Sequence, residues 1–139
     1  MKMKKRVCLL LLLILFGMMQ GYATETVNVY LNGEKLVFDV QPYTVNDRTM
    51  VPIRTLLEKI DAVVSYESNL IMITKGDKLI VMGIGLDYAL VNSEQLPLDA
   101  APVLKDNRTL APLRFLCEQF EMDVQWDGNT NSVMIAEGK

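Results

Sequence analysis

From Val27 onward the apolar positions follow two periods. Val27-Asn28-Val29-Tyr30-Leu31 alternates, Asn32-Gly33 supplies a two-residue hairpin turn, and Lys35 to Val40 alternates again, which predicts two antiparallel strands. Pro42 ends the second of these because it has no N–H to donate to a ladder. A short strand over 43–45, a turn at Asn46-Asp47 and a strand over 49–51 follow. Pro52 suits the first helical position, where a missing N–H costs nothing. Behind it Ile53, Leu56, Leu57 and Ile60 stand at i, i+3, i+4 and i+7, the stripe by which a short helix is buried. Strands over 62–66 and 70–74 come next, joined at Glu67-Ser68-Asn69. Gly76-Asp77 then turns the chain into the run 79–84, whose lack of alternation predicts burial on both faces.

Shifted by 60 positions, the sequence matches itself. Residues 30–69 lie over 90–129 without a gap, with 13 of 40 positions identical. Among the identical pairs are Asn32/Asn92, Glu34/Glu94, Asp39/Asp99, Arg48/Arg108, Pro52/Pro112, Arg54/Arg114 and Glu58/Glu118. The second copy puts Leu113, Leu116, Cys117 and Phe120 on the helical stripe, then strands over 123–126 and 132–136 around the turn 127–131. A fixed period is read before any motif. Two copies are too few for a solenoid, so the prediction is an α+β fold of two pseudo-symmetric ββ-α-ββ repeats, 29–86 and 87–139. Antiparallel strands pack on one short helix in each. The second repeat has no counterpart of the run 79–84, which is expected to lie between the copies. An open edge is therefore expected at 132–136, where a partner chain could add a strand.

The start of the chain has a different character. Lys2, Lys4, Lys5 and Arg6 precede a leucine-rich run over 7–19, and Gly21-Tyr22-Ala23 places small residues at −3 and −1 of a cleavage site. That is the layout of a secretory signal peptide over 1–23. A retained anchor is the alternative, but a spanning helix needs about 20 apolar residues, and Gln20 and Thr24-Glu25-Thr26 come too soon. Cys8 precedes the apolar run, whereas a lipid-modified cysteine would follow it. The expectation is a protein, 24–139, that is secreted or associated with the cell envelope, without stable membrane insertion after cleavage.

Charge then narrows the partners. Without the leader, 10 Lys+Arg face 17 Asp+Glu, a net charge of −7. Such a body has no electrostatic reason to hold a phosphate backbone, so nucleic acid is not an expected partner. The chain has no histidine, which removes the commonest metal ligand and the usual general base near neutral pH. Cys117 aligns with Leu57 on the buried stripe and has no base beside it, so it reads as a small core residue rather than a nucleophile. Asp39/Asp99 and Glu34/Glu94 could in principle supply the paired carboxylates of glycoside hydrolysis, but hairpin positions explain them more simply. The loop Asp127-Gly128-Asn129-Thr130-Asn131 carries oxygen donors yet lacks the ligand spacing of a calcium loop. No catalytic residue, metal ligand or cofactor is expected.

Binding is another matter. Tyr66 and Trp126 occupy equivalent strand positions beside an acid, where an aromatic ring can stack on a sugar or anchor a partner. Arg48 and Arg108 adjoin turns and can form bidentate contacts with a carboxylate or acidic glycan, or structural ion pairs. Arg54 and Arg114 stand four residues before Glu58 and Glu118, the spacing of an intrahelical ion pair. With Pro52 and Pro112 they form the structural motif of the repeat.

The segments Asp47-Arg48-Thr49-Met50-Val51-Pro52-Ile53-Arg54 and Asn107-Arg108-Thr109-Leu110-Ala111-Pro112-Leu113-Arg114 are each followed by an amphipathic helix. Val64-Ser65-Tyr66-Glu67 or Val124-Gln125-Trp126-Asp127 then completes the pattern. This resembles the copper amine oxidase N-terminal-like domain, also called the stalk domain, over roughly 29–136. The resemblance implies a small antiparallel sheet twisted around a helix, used as an envelope module. It does not imply copper chemistry, because the oxidases take their copper ligands from histidines of a separate catalytic domain. The function expected is that of a non-catalytic exported structural or binding module, with a cell-wall glycan or an envelope protein as partner. The alternatives are a small secreted carbohydrate-active hydrolase, or an accessory or inhibitor subunit of a secreted enzyme.

Overall fold

Tight turns set the strand register. At Asn32-Gly33, Asn46-Asp47, Asn92-Ser93 and Asp106-Asn107 both central residues have positive φ, the two-residue geometry whose twist matches that of the flanking strands. Only one of those eight residues is glycine. Asn and Asp fill most of the others, since their short polar side chains tolerate the left-handed region.

The computed structural model describes residues 26–138; the expected leader, 1–23, lies outside them. In chain order the elements are β1 (Asn28–Leu31), β2 (Glu34–Lys35), β3 (Tyr43–Val45), β4 (Arg48–Pro52), α1 (Ile53–Lys59), β5 (Val63–Glu67), β6 (Leu70–Lys75), β7 (Lys78–Gly83), β8 (Tyr88–Val91), β9 (Glu94–Pro97), β10 (Val103–Lys105), β11 (Arg108–Pro112), α2 (Leu113–Gln119), β12 (Met122–Asp127) and β13 (Ser132–Glu137). The chain is mostly β-sheet with two short helices, an α+β fold. Among the described residues no helix is long and apolar enough to cross a membrane.

The halves do not form separate sheets. β4 and β11 pair antiparallel with Val51 opposite Ala111, and Met50↔Pro112 and Leu110↔Pro52 on either side. Val51 and Ala111 are themselves 60 positions apart, so the register is reciprocal and a pseudo-twofold axis passes through that pair. With β3 and β10 outside, this gives a central sheet of order β10-β11-β4-β3. The other two sheets are β5-β6-β7-β8-β9 and β12-β13-β1-β2. They correspond strand for strand except that the second has no β7. β6 and β8 run parallel on either side of β7; β13 and β1 run parallel in direct contact, Ser132 to Ile135 beside Asn28 to Leu31. One parallel ladder thus departs from the antiparallel sheet that the resemblance implies.

That ladder corrects the expected edge. Segment 132–136 lies between β12 and β1, because the N-terminal hairpin occupies the place the missing strand leaves. Asn32 reinforces the join: its N–H donates to the Ile135 carbonyl at 2.8 Å and its Oδ1 accepts from the Glu137 N–H at 3.0 Å. Asn92 does the same to Leu79 in the other sheet, which accounts for the identical asparagine in both copies.

The run 79–84 does lie between the halves, with β6 on one side and β8 on the other. It is not buried on both faces. Ile80 and Met82 are in the core while Leu79 is 44% exposed, so β7 alternates despite its apolar sequence. The ladder at β2 stops at Lys35, earlier than expected. Leu36 and Phe38 still point inward and Val37 outward, and the Leu36 N–H donates to the Val29 carbonyl at 2.9 Å as the last bond to β1 before the segment leaves it. Pro52 and Pro112 are also one place off the expected first helical position. Each is the last strand residue and the helix N-cap, with extended backbone, so strand passes into helix without a loop.

Both helices bury their stripes. Ile53, Leu56, Leu57 and Ile60 are fully enclosed, as are Leu113, Leu116 and Cys117, while Phe120 is half-buried. They join strands of both halves in one continuous core. The α1 stop is a Schellman arrangement, with Asp61 N–H on Glu58 O and Ala62 N–H on Leu57 O. α2 has no basic residue in its last turn; Lys78 of β7 donates instead to the Gln119 carbonyl, a cation where the helix dipole favours one.

Candidate functional site

The pseudo-twofold axis duplicates more than the core. A cleft of about 830 Å³ is lined by Asp39, Pro52, Arg54, Glu58, Tyr66 and Arg108. A second, of about 540 Å³, is lined by Asp99, Pro112, Arg114, Glu118, Trp126 and Arg48. These are the same six positions shifted by 60, with the arginine that faces the aspartate, Arg108 or Arg48, supplied by the other half. All eight residues singled out in the sequence, four as binding candidates and four as repeat motif, come together in these two clefts.

Each cleft is assembled in the same way. The strand-to-helix junction at Pro52 or Pro112 places Arg54 or Arg114 on the exposed face of its helix, one turn before Glu58 or Glu118. The edge strands β5 and β12 present Tyr66 and Trp126, which are 40% and 50% exposed. The opposite wall is an ion pair between halves. Arg108 donates to Asp39 Oδ2 from Nε at 2.7 Å, and its Nη2 lies 2.5 Å from the same oxygen. Arg48 Nε lies 3.2 Å from Asp99 Oδ2. Along the chain the recurring arginines and aspartates are separate features. What joins them is the twofold axis, which no local spacing reveals.

The electrostatics follow. Hydrogen bonds from Arg108, aided by its charge, hold the Asp39 carboxyl below its ordinary value of 3.8. A general acid needs the opposite shift. The same pairing leaves Arg108 and Arg48 with neutralised charge, so neither stands as an open cation for an acidic ligand.

The helix arginines differ between clefts. Arg54 reaches Glu58 at 3.9 Å as the i,i+4 spacing predicts, and its guanidinium carbon lies 5.1 Å from the Tyr66 ring centroid. Among the described residues, Arg114 and Glu118 form no ion pair, and no cation covers Trp126. The lips differ too: Val37 and Leu104 border the first cleft, 86% and 63% exposed, where Pro97 and Thr44 border the second.

Elsewhere the chemistry is quiet. Cys117 is buried and unbonded. Burial, with the Glu118 charge adding to it, pushes its thiol up to about 12, so it is protonated and unreactive at neutral pH. In the loop 127–131, Asp127 Oδ1 accepts from the Asn129 N–H, the Thr130 carbonyl accepts from Ser132 Oγ, and the Asn131 amide donates to Thr26 O. Those oxygens and amides serve the loop's own geometry and its attachment to the start of β1.

A hairpin-rich α+β domain with two sequence-equivalent clefts related by a pseudo-twofold axis defines a class of duplicated modules. The family model of the copper amine oxidase N-terminal domain matches residues 30–135, and the chain belongs to that family. No curated protein matches it. The donor set does not fit copper: the chain has no histidine, its one described thiol is buried and protonated, and among the described residues no three of Cys, Asp and Glu converge.

Proposed function

We propose that this protein is a non-catalytic module exported to the cell envelope, where its paired clefts hold a cell-wall glycan or an envelope protein. The observation that carries this reading is the duplication itself. The exposed aromatic, helix Arg and Glu, and cross-half Asp–Arg pair recur in both clefts. A core needs none of these solvent-facing positions to be matched. Export rests on the leader over 1–23, and the mature acidic body follows from its removal.

Sedimentation with isolated cell walls tests the reading. The purified protein is expected to pellet with walls and to remain in solution without them; failure to pellet, together with failure to capture any envelope protein from culture supernatant, overturns it. The second reading, a small carbohydrate-active hydrolase, draws on the carboxylates of Asp39 and Glu58 in one cleft. Against it stands Asp39, pulled down by Arg108. Release of reducing ends from wall glycan would favour it. An accessory or inhibitor subunit would appear as a stoichiometric complex with a secreted enzyme.

A further inference from the structure

The clefts are equivalent in sequence and unequal in use of their aromatic rings. In the first, Arg54 lies over Tyr66 and within 3.9 Å of Glu58, so one face of that ring is already occupied by the chain. In the second, Trp126 is half exposed with no cation upon it, and Arg114 and Glu118 stand beside it unpaired with each other.

The ligand class follows from what such a surface rewards. A bare indole face favours a flat, weakly polar surface. A guanidinium and a carboxylate beside it offer donors and acceptors together, which suits a ring edged with hydroxyl groups. A polyanion would need surplus positive charge, but Arg48 is already matched by Asp99. A nucleobase would stack equally well and bring phosphates to an acidic body. An apolar peptide would desolvate Arg114 and Glu118 without pairing them. We infer that the Trp126 cleft is the working site and takes an uncharged hexopyranose ring of a glycan, while in the other cleft Arg54 already occupies the stacking face of Tyr66. This rests on the reading of the clefts as binding sites given above.

Trp126 is the single tryptophan of the chain, so intrinsic fluorescence reports on that cleft alone. The purified protein is titrated with tetramers of N-acetylglucosamine, glucose and mannose, and with polygalacturonate as the anionic control. At least one neutral tetramer should give a saturable fluorescence change and one bound sugar per chain by calorimetry; polygalacturonate should give none. Trp126→Ala should weaken binding by about tenfold or more, and Trp126→Phe, which keeps a ring, should retain part of it. Arg54→Ala should uncover Tyr66 and raise the stoichiometry from one to two. Silence from all three tetramers, binding unchanged in Trp126→Ala, tighter binding of the polyanion, or unchanged stoichiometry in Arg54→Ala each overturns the inference. Wall sedimentation separates the two levels. If Trp126→Ala pellets as well as the parent, this inference fails while the module still binds walls; if the parent neither pellets nor captures an envelope protein, the broader reading has failed.

Discussion

Arg108 of the second half closes on Asp39 of the first, its Nε 2.7 Å from Oδ2, and Arg48 makes the reciprocal approach to Asp99. The two pairs are equivalent under the 60-residue shift, Arg48 answering to Arg108 and Asp99 to Asp39. The pairs span the two halves, which the shared apolar core holds together, and build the far wall of each cleft.

The Asp39 pair has a defined pH dependence. The folded carboxyl titrates below its ordinary value because of Arg108. The stability it contributes is thus fully present above the unfolded value and is lost as pH falls through the lowered folded one. Carboxyl-carbon NMR of Asp39 should give a midpoint under 3.8, and Arg108→Gln should move it upward. A midpoint unmoved by that substitution would show that the pair is absent in solution.

The Arg48–Asp99 pair is exposed on both sides, 44% and 65%. Its rupture by Asp99→Asn should therefore cost only about 0.2–1 kcal/mol in urea unfolding. By contrast Leu56→Ala, at a fully enclosed site, should cost about 2–5 kcal/mol. Comparable losses from both would contradict an apolar core shared by the halves.

Cys117 should resist thiol reagents in the folded protein and react stoichiometrically once unfolded, since it is buried and its thiol titrates near 12. Cys117→Leu, which copies the residue at position 57, should overpack the site by about 1–3 kcal/mol yet leave wall binding intact. A folded variant that no longer binds would reassign the thiol to function.

Amide exchange should find 132–135 as slow as 71–73, because β13 like β6 has a neighbour on each side. Removing β1 and β2 should make 132–135 fast and expose an edge prone to pairing with a second chain. Fast exchange of 132–135 in the intact protein would refute the parallel ladder.

At Asp61 and Glu121, the left-handed residues that end the helices, substitution by glycine should stabilise the fold by about 0.5–1 kcal/mol in thermal unfolding. Destabilisation at either would indicate that the side chain, rather than the backbone turn, holds that helix end.

Taken alone, the sequence determined what depends on neighbours along the chain. The alternating strands, the two-residue turns and the helical stripes at 53–60 and 113–120 each follow from period and backbone preference, and the 60-residue repeat made each half a check on the other. Family membership was legible too, in the Arg-Thr, Pro and Arg spacing before each helix. Only the tertiary structure decided what depends on the symmetry axis: that β1 fills the side of β13 expected to be open, that β7 shows one face to solvent, and that Arg48 and Arg108 answer Asp99 and Asp39. It also set the two rings apart, Tyr66 under Arg54 and Trp126 uncovered. Periodicity records which side of an element avoids water. It carries no record of which distant element lies opposite, and the clefts are made of those opposites.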